Sequence, residues 1–506
     1  MGEIPAVSGP DFGLGVALAD IPDDGVLAGH VEGTPVLLAR LADGLHAVSG
    51  SCSHYGAPLS EGLRVGEEIR CPWHHACFSL RSGQALKAPA FASLDRWQVQ
   101  TVAGRVFVRE HAPAPAAGPA FSAADRKPRR IVLVGGGAAA FAAAERLRAL
   151  GFDGALDLLS ADDSPPCDRP NLSKDYLAGT APEDWIPLRP PSFYAERDIR
   201  LHLDCEVAAL DPARRRVSTR AGRDFAYDAL LLAPGAEPRR LPLPGFDRPE
   251  VHVLRSLADA RALIAAASGA RRIALVGAGF IGLEAAAALR TRGLGVHVIA
   301  PETLPLAGLL GEDLARHLLD LHGQQGVTFH LDCRPTGFDG RWLGLSDGRR
   351  LEVDLVLLGV GVNPRTALAQ AAGLAVDDGI LVDARLRTSA AGVFAAGDVA
   401  RYPHAGGTAR VEHWVHAQRQ GQVAAANMLG GEQAFDDPPF FWTHHYGTDL
   451  RYLGHGKGWT EAVMDGSPAS DRCLVRYLRD GRLLAAAAIG RDRELLAIEA
   501  ELRRPA

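Results

Sequence analysis

The sequence has very little lysine. Of its 54 basic residues only Lys87, Lys127, Lys174 and Lys457 are lysines, and arginine supplies the rest. A lysine kept inside a motif is therefore more informative here than an arginine. Seven cysteines in 506 residues, an odd number in a long chain, do not suggest a disulfide framework. No apolar run reaches the roughly 18 residues that a membrane span needs. The start, MGEIPAVSGPDFG, has neither the basic nor the apolar region of a signal peptide. These absences lead us to expect a cytoplasmic protein without a membrane span. The formal charge is −6, which leaves no broad basic footprint for nucleic acid. At this length about three or four domains are expected.

What is present begins with a small all-β unit. Residues 14–109 read as short strands between turns, with Val36–Arg40 and Leu45–Val48 flanking the hairpin signal Asp43-Gly44. Trp97, Val99 and Thr101 alternate with polar residues, Ala103-Gly104 turns the chain, and Val106 and Val108 alternate again. Two loops in this unit carry chemistry: Cys52-Ser53-His54 and Cys71-Pro72-Trp73-His74, with 16 residues between them. Each offers one thiolate and one imidazole. A Rieske [2Fe–2S] centre needs this set, two Cys on one iron and two His on the other. A Cys₂His₂ zinc site is the rival, although its first ligand pair is usually spaced more widely. High-potential Rieske proteins place Ser and Tyr donors where this chain has Ala76 and Phe78. Without them the reduced, more negative cluster is less stabilised, so a potential toward the low end, about −150 mV, is expected. The loops contain no cysteine pair to bridge them; Cys77 reads as packing, and His75 stands where the usual pattern has glycine. The unit reads as a ferredoxin-type electron carrier, since no mononuclear iron triad follows it.

After the Pro/Ala-rich spacer APAPAAGPA comes IVLVGGGAAAFAAAE, from Ile131 to Glu145. Four apolar residues run into Gly135, Gly136 and Gly137 and then into an alanine-rich helix. A strand turning on glycines into a helix N-terminus presents bare N–H groups to a phosphate. Gly135 allows the turn, Gly137 lets a pyrophosphate approach, and Ala140 keeps helix and strand close. The stretch recurs as IALVGAGFIGLE from Ile273, with Gly277, Gly279 and Gly282 at the offsets of Gly135, Gly137 and Ala140. Two dinucleotide-binding domains in one chain, the second inserted in the first, point to a flavoprotein that takes hydride from a nicotinamide. Asp162, near the end of the second strand, is a candidate for the adenosine ribose. Asp398 is read as starting a helix after the strand of VFAAGD, which suits ribityl and pyrophosphate groups.

Between the repeats lies CDRPNLSK, Cys167 to Lys174. Here the chain resembles ferredoxin and rubredoxin reductases and apoptosis-inducing-factor-like proteins. Joined to CSHYGAPL and CPWHHACF, it resembles their Rieske-fused branch over nearly the whole chain. The resemblance implies FAD contacts from Gly135, Gly137, Arg169, Lys174 and Asp398. It also implies that Lys174 pairs with Glu284 beside the flavin ring, and that VEHW lays Trp414 against the isoalloxazine. Glu284, among Ile281, Leu283 and alanines, needs such a partner on physical grounds as well. Gly361, in GVGVNP (359–364), fits the family's return from the NAD to the FAD domain. Phe440, Phe441 and Trp442 either shield the ring or form core.

The expected layout is a Rieske domain at 1–111 and a linker at 112–128. An FAD-binding domain follows at 129–250 and 363–435, with an NAD-binding domain at 251–362 inserted in it, and a C-terminal α+β interface domain at 436–506. In VHVIAPE (296–302) the ribose position is Ala300, with Glu302 close by and no arginine, which favours NADH over NADPH. The expected activity is NADH-dependent reduction of FAD, with electrons passing to the Rieske cluster and on to an external acceptor the sequence does not name. Two alternatives stand beside it: an NADH oxidase or peroxidase using Cys167, and a signalling or binding role like that of apoptosis-inducing factors. Both a monomer and a homodimer remain open.

Overall fold

The computed structural model describes residues 9–113, 128–404 and 407–503. Most of the expected linker, 112–128, lies outside these residues. Two compact units emerge: one of Met1–Ala124, Glu145–Phe152 and Arg491–Ala506, the other of Asp125–Ala144 and Asp153–Gly490.

The first unit holds two antiparallel sheets. The larger orders its strands Val16–Ala17, Arg105–His111, Arg96–Val102, Gly44–Ser49, Thr34–Leu41 and Leu27–Val31. Both predicted hairpins are present, the second turning at Ala103, whose φ is +48°. The smaller sheet orders Leu63–Val65, Glu68–Arg70, Cys77–Ser79 and Ala85–Lys87. One apolar cluster, including Leu37, Val48, Leu59, Ile69 and Phe78, also encloses Cys52 and Cys71. The C-terminal helix Asp492–Leu502 belongs to this unit and buries Leu495, Leu496, Ile498 and Glu499.

The second unit repeats one architecture twice. A parallel sheet orders Ile199–His202, Ala155–Leu159, Arg130–Val134, Ala229–Leu232 and Val393–Ala395. A second parallel sheet orders Val251–His252, Leu355–Leu358, Arg272–Val276, Gly295–Ile299 and Val327–His330. Every strand of the second lies, in sequence, between Ala229–Leu232 and Val393–Ala395, so one domain is inserted in the other. In the inner strands Arg130–Val134 and Arg272–Val276 every residue after the arginine is apolar, and Ala229–Leu232 and Leu355–Leu358 are apolar throughout, as expected of parallel strands covered on both faces. A third, antiparallel sheet orders Phe440–His445, Thr448–Gly454, Arg482–Ile489, Arg472–Arg479 and Glu461–Ser467, with a turn at Asp480-Gly481.

Candidate functional site

The two cysteine–histidine loops fold as near copies. The Cys52 N–H donates to Ala57 O and the Gly56 N–H to Cys52 O; the Cys71 N–H donates to Ala76 O and the His75 N–H to Cys71 O. Within each loop, backbone N–H groups point at the sulfur: those of His54 and Tyr55 at Cys52, and those of Trp73 and His74 at Cys71. The two thiols hydrogen-bond each other; burial pushes Cys71 well up, while the bond to Cys71 lowers Cys52. Such N–H groups and buried sulfurs are suited to thiolates charge-balanced by metal. Opposite them the Nδ1 atoms of His54 and His74 lie 3.3 Å apart. Burial holds the His54 imidazole at about 4, so it is a neutral ligand at pH 7. Among the described residues no three His, Cys, Asp or Glu side chains converge on a single-ion site. The donors form two pairs, one of sulfur and one of nitrogen, which fits a two-iron cluster better than zinc.

Cys77 is wholly buried in a strand and directs its thiol at His75 O, as a packing residue. Ala76 and Phe78 are wholly buried and carry no hydroxyl. Phe78→Tyr, adding a donor at that position, is expected to raise the cluster's potential, read by an EPR-monitored redox titration. His75 takes the left-handed conformation, φ +58°, where glycine is usual. Its Nδ1 lies 3.4 Å from Glu499 Oε2, and that carboxylate also meets Arg70 at 3.5 Å and Arg503 at 2.8 Å. Sequence reading missed Glu499, because no local pattern joins a C-terminal helix to a loop near residue 75. Glu499→Ala removes a buried anion beside Arg70 and is expected to destabilise the first unit by about 3 kcal/mol. Thermal loss of cluster absorbance measures this.

In the second unit the first glycine turn has the form its spacing predicts. Gly135 has φ +124°, and a Cβ there would lie 2.1 Å from Ala233 O. A Cβ on Gly137 would meet only the Arg169 guanidinium, at 4.0 Å. Ala140 is wholly buried between helix and strand. Arg169 pairs with Asp162 at 3.0 Å, and Arg255 pairs with Asp398 at 2.6 Å. Burial and the neighbouring Arg255 lower the Arg169 guanidinium. Among the described residues both arginines keep a buried Nε without a hydrogen-bond partner. Two facing guanidiniums with unmet donors beside an open glycine turn fit a pyrophosphate. Arg255 was not singled out in the sequence, because arginine is too common in this chain to signal.

Asp398 does not start a helix, contrary to the sequence expectation. Gly397, at φ +81°, donates its N–H to Gln420 Oε1, and the chain turns into the strand Ala400–His404. The next helix is Trp414–Met428, with half-buried Trp414 as its first residue. Asp398 thus offers a carboxylate held by Arg255, and no helix N–H groups follow it.

Lys174 Nζ meets Glu284 Oε2 at 2.8 Å. Glu284 is 5 % exposed and also accepts from Ser173 Oγ at 2.6 Å and Thr443 Oγ1 at 2.7 Å. The Lys174 ammonium lies 5.8 Å from the centre of the Trp442 ring, whereas Phe440 and Phe441 are buried in core. The second glycine turn repeats the first: a Cβ on Gly277 would lie 2.4 Å from Gly359 O, one on Gly282 2.4 Å from Gly277 O, and one on Gly279 would meet nothing within 4 Å. Gly361, at φ +88°, precedes the strand Val362–Pro364. Ala300 is wholly buried and is not available to a ribose. Glu302 is exposed and stands three residues past the end of its strand at Ile299, as Asp162 stands three past Leu159. Cys167 is buried and its thiol is pushed up to about 11 by burial, which opposes a nucleophilic role. Iodoacetamide at pH 8 is expected to leave Cys167 of the folded protein unmodified, as checked by peptide mass mapping.

Comparison with known proteins matches three segments of the chain to known families. The pyridine nucleotide-disulphide oxidoreductase family matches residues 129–421, the Rieske [2Fe-2S] domain 16–101 and the reductase C-terminal domain 440–504. Apoptosis-inducing factor 3 of Homo sapiens is 32 % identical over 90 % of this chain and 78 % of its own length. The anthranilate 1,2-dioxygenase system ferredoxin–NAD(+) reductase component of Burkholderia cepacia is 39 % identical over 72 % of this chain and 92 % of its own. The covalent putidaredoxin reductase–putidaredoxin complex matches with a TM-score of 0.71 and 31 % identity, over 75 % of this chain and 94 % of that one. The chain belongs to the pyridine nucleotide-disulphide oxidoreductase family, as an FAD-dependent NAD(P)H oxidoreductase with a Rieske [2Fe–2S] domain before its catalytic core and a reductase C-terminal domain after it.

Proposed function

We propose that the protein is a cytoplasmic NADH-dependent reductase that sends electrons through FAD to its own Rieske cluster and from there to an external ferredoxin-type or oxygenase protein. The observation that carries this is the presence in one chain of the paired-thiol, paired-imidazole centre and the guanidinium-lined glycine turn. Bound FAD supplies the conversion of a two-electron hydride donor into single-electron steps. The protein's residues supply the rest. Gly135 and Gly137 leave room for the FAD pyrophosphate, Arg169 and Arg255 meet its charge, and Asp162 takes the adenosine ribose. Asp398 accepts from the ribityl chain, and Trp414 lies against the ring. Lys174, oriented by Glu284, places a positive charge where the flavin gains negative charge during hydride transfer. Cys52, His54, Cys71 and His74 hold the cluster, and fusion raises the carrier's effective concentration at the reductase.

Gly277, Gly279 and Gly282 bind the nicotinamide dinucleotide, with Gly361 closing the return to the FAD domain. Glu302 accepts from the ribose 2′-OH and repels a 2′-phosphate, so NADH is the donor. Relatives named as ferredoxin–NAD(+) reductases support this choice. Stopped-flow bleaching of the flavin is expected to be faster with NADH than with NADPH. Glu302→Arg is expected to move the ratio of the two kcat/KM values toward NADPH by at least about tenfold, or ~1.4 kcal/mol. Equal rates for the two nucleotides in the parent protein would overturn the assignment.

A further inference from the structure

The Lys174–Glu284 pair is one end of a longer buried chain. Glu284 Oε1 accepts from the Thr443 hydroxyl at 2.7 Å, Thr443 Oγ1 is 2.9 Å from His445 Nε2, and His445 Nδ1 is 3.2 Å from His322 Nε2. Thr443, His445 and His322 are wholly buried, on the strand Phe440–His445 and the helix Glu312–Gln324.

The direction of each bond follows from counting protons. A carboxylate only accepts, so the single Thr443 proton points at Glu284. The Thr443 oxygen then needs a donor, which requires N–H at His445 Nε2. Burial lowers His445 well below the usual imidazole range and His322 to about 4, so each ring is neutral at pH 7 and carries one N–H. His445 Nδ1 is therefore a bare lone pair, and His322 donates to it from Nε2. His322 Nδ1 ends the chain, buried and without a hydrogen-bond partner among the described residues. From the other side Ser173 and Lys174 donate to Glu284 Oε2. The Thr443, Ser173 and Lys174 donors thus converge on one carboxylate, with Lys174 Nζ also donating to Pro170 O at 3.2 Å.

We propose that His322 and His445 are positioning residues for hydride transfer: their one-way hydrogen bonds fix the Thr443 hydroxyl and thereby hold the Glu284 carboxylate in the orientation that pairs it with Lys174. Without this support the Thr443 proton is free to rotate away, and the buried Glu284 Oε1 loses its donor. The catalytic consequence rests on the placement of Lys174 at the flavin, whereas the hydrogen-bond chain does not.

The test has two arms. In holoprotein labelled with [¹⁵N]histidine, side-chain nitrogen shifts at pH 7 should show His322 and His445 as neutral Nε2–H tautomers. Their signals are identified by loss in His322→Gln and His445→Gln. In stopped flow, His445→Phe should slow flavin bleaching at saturating NADH by about tenfold with NADH Kd unchanged, while His445→Gln, which carries both a donor and an acceptor, stays within about threefold of the parent. A charged ring or an Nδ1–H tautomer at either position overturns the proposal, as do Phe and Gln variants of equal rate. If His445→Phe fails to fold, the parent tautomers and the His445→Gln rate decide. A Lys174→Met protein that bleaches at the parent rate, with the tautomers intact, overturns the placement at the flavin and the catalytic role with it.

Discussion

Lys174→Met is expected to slow bleaching of the flavin by NADH by about a hundredfold, comparable to removing one preorganised donor from an active site. Hydride transfer moves negative charge onto the flavin, and a fixed ammonium in a water-poor site stabilises that charge without reorganising. The substitution also leaves Glu284 buried without its cation, a loss of about 3–5 kcal/mol in comparable pairs. The Ser173 and Thr443 hydroxyls still donate to Glu284 and reduce that cost. Lys174→Met combined with Glu284→Gln should therefore melt at a higher temperature than Lys174→Met alone while remaining slow. Recovery of rate in the double variant would show that Lys174 acts only as a structural counter-charge.

Cys71→Ser is expected to abolish the cluster while sparing the flavin. The serine hydroxyl is a poor iron ligand at neutral pH, and Cys71 lies in the apolar cluster that encloses both loop sulfurs. The variant should lose its low-g EPR signal and its NADH-driven reduction of a ferredoxin. Reduction of a small two-electron dye should continue within about twofold of the parent, because a hydride-accepting dye takes electrons directly from the reduced flavin. Loss of dye reduction together with flavin content would instead show that the cluster loops are needed to assemble the flavin domain.

The parts of this design that were readable in the sequence are those written in consecutive residues. The turn at Gly135 follows a strand and takes a positive φ, and both leave a local trace, an apolar run ending in glycine, although the carbonyl a Cβ would strike belongs to the distant Ala233. The cysteine–histidine loops are equally local, since each one folds back on itself through its own N–H groups. Arg255, Glu499, Thr443, His445 and His322 left no such trace. Each acts through a partner far away in sequence, and periodicity carries no information about which buried charge a distant side chain will meet. Asp398 was misread for the same reason: strand-glycine-aspartate looks like a strand-to-helix turn, but the Gln420 side chain captures the Gly397 N–H and the chain re-enters a sheet. The sequence places Ala300 at the ribose position with Glu302 close by; counting from the strand ends gives Glu302 the same offset as Asp162.

In the proposed relay, electrons from NADH reach the Rieske cluster through the flavin of the same chain. Anaerobic titration of the holoprotein with NADH, followed by visible absorption and EPR, tests it most directly. The flavin band is expected to bleach and a low-g Rieske signal to grow, together accounting for the reducing equivalents added. Complete flavin bleaching by excess NADH with no Rieske signal, in protein whose cluster dithionite does reduce, would contradict it.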